Sequence, residues 1–570
     1  MSLTKAGPTR LARLRAWTRH RDPEELALGL PLLIAVVYLA RLGQTFQERV
    51  TVVGGDTDAV SHLVIAATMD EVPDGEIHTA HFGQYMTFAY TRATEWLPFY
   101  REVWEAIPPA LWIASVAIVV WAAWRTVGKR AAVLTGVLGL CVSAYALYIL
   151  FTPSFHTWTV YSSAIAGGLL VYLTTQTRLC IRTWIVTVAA TFALGGALAS
   201  DRLVLVAAIG PLLLAAAGVA LRHPTRQGRK IALAAAAVVG AAVAIATGIT
   251  AIMKASGFVS TPRSEDWVDA ELFFNKIGWV FEETLWLFNA HFLGRELSVQ
   301  SALSFVLAAG TVVAVMAPFV VLRRHLREYP SHRHPQALGR SAYVSFWAAT
   351  MAIVPTAVIV ADTDVSAHYF LPVLFAAAAT VPLLARSVNA RYLITAGVSI
   401  YAVLGVQNLD VRARDGDLHS HAGRVAVQAN QLISIARQEQ AYIGYAGYWE
   451  AAGLSWSTKM QVKVFPVAHA PSSCNPSDGT PCPYPINRHE GWYVPRPGTR
   501  TFLIGPPASD AEHPSLARTE PPTVVAESYE PPPSLGRPVS THRLVNGSYV
   551  YVYPYDIAAR FTSSIGISPL

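Results

Sequence analysis

The sequence predicts a mainly α-helical, polytopic membrane protein that ends in a small α/β domain. Three observations carry this expectation. Hydrophobic residues fill 53% of the 570 positions and charged residues only 14%, against about 25% charged in a soluble domain. Apolar runs of roughly twenty residues, the length that crosses a bilayer, recur from residue 26 to residue 407. Beyond that point they stop, and proline, glycine and polar residues become frequent. The expected division is therefore a membrane domain over 1–407 and an exported domain over 408–570.

The chain opens with a basic segment, Lys5 to Arg21, before its first apolar run. That run is long for the core of a signal peptide and lacks a small-residue cleavage site, so it reads as a span. The expected spans are 26–42, 107–124, 131–151, 160–173, 183–199, 203–221, 231–253, 301–322, 341–361, 371–385 and 392–407, about eleven in all. With the N-terminus inside, alternate loops carry Arg125, Lys129 and Arg130; Arg178 and Arg182; Arg222, Arg226, Arg229 and Lys230; Arg323, Arg324, Arg327, Arg333 and Arg340; and Arg386 and Arg391. The opposite loops hold acids, among them Asp56, Asp58, Asp201, Glu265, Asp362 and Asp364. This asymmetry places the N-terminus in the cytoplasm and everything after Gln407 outside a plasma membrane. It also accounts for the net charge of +7 and the pI of about 9.1 without nucleic acid as a partner.

Two long outer loops follow from that topology. The first, of roughly sixty residues, lies between the first two spans and includes an expected helix from Ala59 to Met69. The second, 254–300, mixes Trp267, Phe273, Phe274, Trp279, Phe281 and Trp286 with Asp269, Lys276, Glu282 and Glu283. That mixture suits a helix lying at headgroup depth or the aromatic belt of a neighbouring span. In the exported domain, Val425, Leu432, Ile435 and Ala436 sit at helical spacing, which predicts a helix over 421–438. Ala441–Ala446, Gln461–Val467, Thr501–Ile504, Thr523–Ala526 and Ser548–Tyr553 read as strands. Cys474 and Cys482 lie close together in a turn-rich segment of this domain, where an oxidising compartment favours a disulfide.

The residues that could carry chemistry cluster in the outer loops. Asp56 and Asp58 form a D-x-D pair directly after the first span, where carboxylates are costly. Such a pair can share a divalent cation such as Mg or Mn, or one member can act as a base while the other orients it. Asp56 stands nearer the span and is the first choice for the base. A second D-x-D, Asp362 and Asp364, precedes His368 and Tyr369 in a short outer loop and could join a cation site. His62 lies one helical turn beyond Asp58. Arg92 and Arg101 are outer cations, suited either to a phosphate or to lipid headgroups. Trp449, Trp456, Trp492 and Tyr493 of the exported domain could present aromatic faces to a ligand or pack in the core.

This pattern resembles the GT-C superfamily of integral membrane glycosyltransferases, and most of all its actinobacterial cell-envelope members of arabinofuranosyltransferase type. The residues that carry the resemblance are Asp56 and Asp58 after span one, the interfacial aromatic loop, and the later outer loop ending in His368-Tyr369. The span count and the exported C-terminal cap agree. The resemblance implies transfer of a sugar from a polyprenyl-phosphate donor to an extracytoplasmic glycan, lipid or protein acceptor. Asp56 or Asp58 would be the catalytic carboxylate, with His62, Arg92, Arg101, His368 and Tyr369 holding donor phosphate or acceptor. The family's His-Arg-Tyr element is matched only as His368-Tyr369, without the arginine. The alternatives are a transporter or lipid flippase, which would favour broken helices and pseudo-repeats, and a non-catalytic scaffold with an exported binding domain.

The topology is testable with single reporter cysteines in a cysteine-free background. A reporter near residue 520 should react with an impermeant thiol reagent in intact cells. Protection until the membrane is broken would contradict the orientation.

Overall fold

The computed structural model describes residues 25, 27–80, 84–153, 157–176, 180–260, 267–294, 296–328, 335–362, 365–414, 416–468, 480–505 and 530–561. It is mainly helical, and a helix occupies every segment expected to span. Among the described residues, eight helices are long and apolar enough to cross a membrane, or nine if one bent pair counts as a single span.

Three departures from the expected spans shape the molecule. The first helix runs from Gly29 to Gly54, far past the expected end at residue 42. At about 1.5 Å per residue it overshoots a hydrocarbon core of about 30 Å. Its extension is buried at Arg49, Val50, Val52 and Val53 because the C-terminal helix Leu418–Glu439 packs alongside it. The segment expected as one span over 131–151 is broken into Lys129–Leu140 and Ala144–Phe151, bent by 79°. The break has local partners: Trp112 Nε1 donates to Gly139 O at 3.0 Å, Tyr38 Oη donates to Val142 O at 3.0 Å, and Ser143 Oγ accepts from Ala146 N at 3.0 Å. Such substitutes are what backbone at membrane depth requires once a helix is interrupted. The segment expected over 371–385 is a short helix, Leu371–Thr380, buried at every residue and followed by a 3₁₀ turn at Val381–Leu384. It is an interior element of the bundle.

The aromatic loop forms a helix, Ala270–Leu287. Phe274, Ile277 and Phe281 are exposed along one face, while Lys276 and Glu283 are buried on the other. Lys276 Nζ donates to Val358 O at 3.4 Å and also to Ala361 O. An exposed apolar face over a polar anchor is the form expected of a helix lying on lipid.

The C-terminal region contains strands β3 (Ile443–Gly447), β4 (Lys463–Ala468), β5 (Cys482–Pro483), β7 (Thr501–Ile504), β8 (Ser540–Arg543) and β9 (Tyr549–Tyr553), numbered along the whole chain. They form a six-stranded mixed sheet in the order β5-β4-β3-β7-β9-β8. The pairs β3–β4 and β3–β7 are parallel; β7–β9, β8–β9 and β4–β5 are antiparallel. Leu432, Ile435 and Ala436 of the Leu418–Glu439 helix join Val464, Phe502, Ile504 and Val550 in one apolar cluster, so the sheet and helix form the expected α/β layers. Thr523–Ala526 and Cys474 lie outside the described residues, while Cys482 is buried in β5.

A second, small sheet was not legible beforehand. β1 (Ile77–Thr79) pairs in parallel with β2 (Phe258–Ser260) and antiparallel with β6 (Arg488–His489). It ties both long loops to the C-terminal region. Trp492 Nε1 donates to Thr68 Oγ1 at 2.9 Å across the same junction.

A tight approach is made by the helix Tyr448–Ser457, which connects β3 to β4 and lies against the turn after the first membrane helix. Gly453 N donates to Thr57 Oγ1 at 3.1 Å, and a Cβ on Gly453 would fall 2.3 Å from Gly55 O. Replacing Gly453 with alanine should therefore overpack a contact that has no flexible side chain to yield, with a loss of about 1–3 kcal/mol. Thermal unfolding of the purified variant checks this; an unchanged transition would contradict the contact.

Candidate active site

Asp56 stands between two helices. The first ends at Gly54, and the second, Thr57–Thr68, begins with Asp56 as its N-cap, in extended backbone at φ −94° and ψ 119°. Its Oδ1 accepts from Asp58 N at 3.0 Å and Ala59 N at 3.5 Å. A carboxylate is favoured here both as a cap and by the helix dipole. Its Oδ2 accepts from the Tyr148 hydroxyl, which the broken membrane helix delivers. Both oxygens of Asp56 are thus committed.

Asp58 lies in the first turn of the same helix and is half-buried. Its Oδ1 accepts from the Tyr448 hydroxyl at 2.5 Å. Tyr448 in turn accepts from Asn487 Nδ2 at 2.7 Å and stacks on Tyr484 with centroids 4.3 Å apart. Burial, and then the like charge of Asp56, push the Asp58 carboxyl up to about 7, with the Tyr448 hydrogen bond opposing them. The pair is therefore two carboxylates with unequal jobs: one fixed by a cap and a tyrosine, one poised to exchange a proton near neutrality.

The other expected site residues fall in several places. His62 is 3% exposed, edge-on to Phe88 and held by burial down to about 3, so it is neutral. It belongs to the core beneath the pair and brings no charge to a phosphate. Arg92 is engaged by Asp70 and by Glu95 at 2.8 Å. Arg101 Nη2 donates to Trp456 O at 2.6 Å, and its guanidinium lies 4.3 Å from the Trp456 ring centroid. It fastens the C-terminal region to the membrane bundle. Trp456 and Trp492 are buried in packing. His368 Nδ1 is 2.7 Å from Ser366 Oγ. The turn Ala367–Tyr369 packs against Ala144–Phe151, the helix that carries Tyr148, so this later loop does converge on the element that meets Asp56. Asp362 lies beside the Trp267–Ala361 bridge, and Asp364 is outside the described residues.

Three carboxylate oxygens of the pair already accept hydroxyl or amide hydrogens, so a cation held there would share them through the second lone pairs. Among the described residues, Glu76, His78 and Glu490 form the group that could share a metal ion, with His78 Nε2 3.1 Å from Glu490 and 3.6 Å from Glu76. It bridges the loop between the first two membrane helices and the C-terminal region.

Sequence reasoning missed Tyr148, Tyr448 and Asn487. Tyr448 is 390 positions from Asp58 and Tyr148 is 92 from Asp56. Tyr148 is also hidden inside an apolar run. The clustering of Tyr145 and Tyr148 within that run was the available signal.

No family model matches the chain, and no curated protein matches it. Among solved structures it is similar to an oligosaccharyltransferase from Archaeoglobus fulgidus in complex with Zn and sulfate, with 12% identity and a TM-score of 0.43 over 76% of this chain. The chain spans 62% of that protein's length. It is also similar to ArnT from Cupriavidus metallidurans in the apo state, with 13% identity and a TM-score of 0.47 over 92% of this chain and 99% of that one. The same protein bound to undecaprenyl phosphate gives 13% identity and a TM-score of 0.45 over 93% and 98%.

Proposed function

We propose that this chain is an integral membrane glycosyltransferase of GT-C type, moving a sugar from a polyprenyl-phosphate donor to an acceptor hydroxyl at the outer face. The observation that carries the reading is the Asp56/Asp58 pair, clamped by tyrosines from a broken membrane helix and from the C-terminal region. The geometry favours Asp58 as the base and Asp56 as the group that positions it. Asp58 takes the proton of the acceptor hydroxyl as that oxygen bonds to the anomeric carbon. The bond from that carbon to the phosphate oxygen breaks, and its electron pair leaves with the polyprenyl phosphate. Lipid activation removes the need for a nucleotide site, and membrane helices can house the prenyl chain. Arg412, within electrostatic reach of Tyr148, is the cation we assign to the departing phosphate.

The sugar, the acceptor and an arabinofuranosyl specificity stay part of the proposal. One observation favours a transporter instead: the broken span at Cys141–Ser143. Its consequence here is local, because the break delivers Tyr148 to Asp56, and the acids lie at helix ends rather than mid-span.

The assignment makes a pH prediction. A base must be ionised, and its carboxyl is raised to about 7, so transfer should climb as pH rises through that value. Asp58→Asn should lower turnover by about 10²–10⁴-fold with donor binding retained. Asp56→Asn removes the like charge that raises Asp58, so its residual activity should show the ascending limb at lower pH. Initial rates from pH 5 to 9 check both. Full activity in Asp58→Asn, or an unmoved limb in Asp56→Asn, would contradict the assignment.

A further inference from the structure

A cavity of about 450 Å³ opens beside the break in the membrane helix, within the size range of about 300–1,000 Å³ typical of small-molecule sites. It is lined by Ser143 and Ala144 at the membrane-helix break, by Trp286 and Asn289 after the interfacial helix, and by Asn408 and Arg414 at the entry to the C-terminal region. Tyr145 also lines it. Tyr145 lies three residues before Tyr148, so the helix that lines the cavity is also the one whose Tyr148 meets Asp56.

The cavity's polar groups are ordered by a relay of amides. Gln300 Nε2 donates to Asn408 Oδ1 at 2.8 Å, and Asn408 Nδ2 donates to Asn289 Oδ1 at 2.9 Å. That polarity leaves Asn289 Nδ2 as the terminal donor. Asn289 is 7% exposed, and its Nδ2 has no partner among the described residues. A buried donor without an acceptor costs roughly 1–3 kcal/mol, and Asn289 is a residue of the cavity lining. Its backbone is left-handed, at φ 56°, a conformation that asparagine tolerates better than most residues.

The charges select the class of ligand. The lining holds His291, 4.0 Å from Glu282, and Arg414, which is already engaged by buried Glu283, with its Nη2 also donating to Tyr145 Oη at 2.7 Å. Asp410 is paired with Arg41 at 2.7 Å, and Asp417 caps a helix by accepting from Ser420 N at 2.7 Å. A phosphate entering this cavity would meet two carboxylates and a cation that is already neutralised. A neutral ring bearing hydroxyls would meet an amide donor, carboxylate acceptors and a phenol.

We infer that this cavity is a binding subsite for a neutral sugar unit, with Asn289 Nδ2 donating to one of its hydroxyls. The inference rests on the proposed transferase reading for its biological sense, and the sugar is either the donor's or a residue of the acceptor glycan. The test uses the full chain in lipid nanodiscs, without donor, and saturation-transfer NMR with methyl glycosides of pentoses and hexoses. The wild type should give saturation for at least one glycoside. Asn289→Leu, which removes the donor, and Ala413→Trp, which fills the cavity from a residue of its lining, should each weaken it at least tenfold while thermal unfolding shows both variants folded. Competition by a polyprenyl-phosphate sugar alone assigns the subsite to the donor; competition by a soluble oligosaccharide alone assigns it to the acceptor. No saturation with the wild type, undiminished saturation in both variants, or displacement by inorganic phosphate would overturn the inference. If Asp58→Asn kept full transfer activity, the catalytic reading would fail while this binding result stood.

Discussion

The architecture depends on a backbone-to-backbone contact. Gly453 approaches Gly55 so closely that no side chain fits between them. That contact seats the helix Tyr448–Ser457 on the turn that holds Asp56 and Asp58. Tyr448 is the first residue of that helix, so the seating of Gly453 decides whether its hydroxyl reaches Asp58. Around the contact, Trp456 Nε1 donates to Glu105 Oε1 at 2.9 Å, Arg101 covers the Trp456 ring, and β1 pairs with β6. The C-terminal region is therefore a wall of the candidate site as well as its cover.

The other wall comes from the membrane bundle. A continuous helix over residues 129–151 would carry Tyr145 and Tyr148 onward in the direction of the span. The 79° bend at Cys141–Ser143 redirects them, and carbonyls freed near the break are met by Trp112 and Tyr38. Replacing intrahelical hydrogen bonds with side-chain partners makes such a break tolerable in an apolar setting. The consequence is a carboxylate pair gripped from two sides, with one member fixed and the other raised toward neutrality. Preorganisation of this kind favours the charge distribution of a transition state over that of the ground state.

Much of the fold could be read from the sequence because apolar run length is a local signal. All eleven expected segments are helical, and Leu418–Glu439 and Thr501–Ile504 fall close to their expected bounds. The aspartate pair could also be read, since acids abutting a span are conspicuous. What could not be read is set by long-range contacts. The break after Leu140 has no proline to mark it, and its geometry is held by Tyr38 and Trp112 from other helices. Strands of two or three residues, such as β1 and β6, carry too little pattern to detect. The choice between Asp56 and Asp58 needed Tyr148 and Tyr448, whose positions depend on the whole fold. The spacing of His62 from Asp58 suggests a contact to donor phosphate or acceptor, whereas in the structure its side chain is buried.

The most direct measurement follows the fate of a lipid-linked sugar. The purified full chain, reconstituted in vesicles with a panel of polyprenyl-phosphate pentoses and hexoses and an envelope glycan extract, can be assayed by mass spectrometry of lipid and glycan products. The account predicts that at least one donor is converted to free polyprenyl phosphate while its sugar appears on the acceptor, and that Asp58→Asn abolishes both changes together. Movement of intact donor across the bilayer with no cleavage would contradict it and point to a transporter.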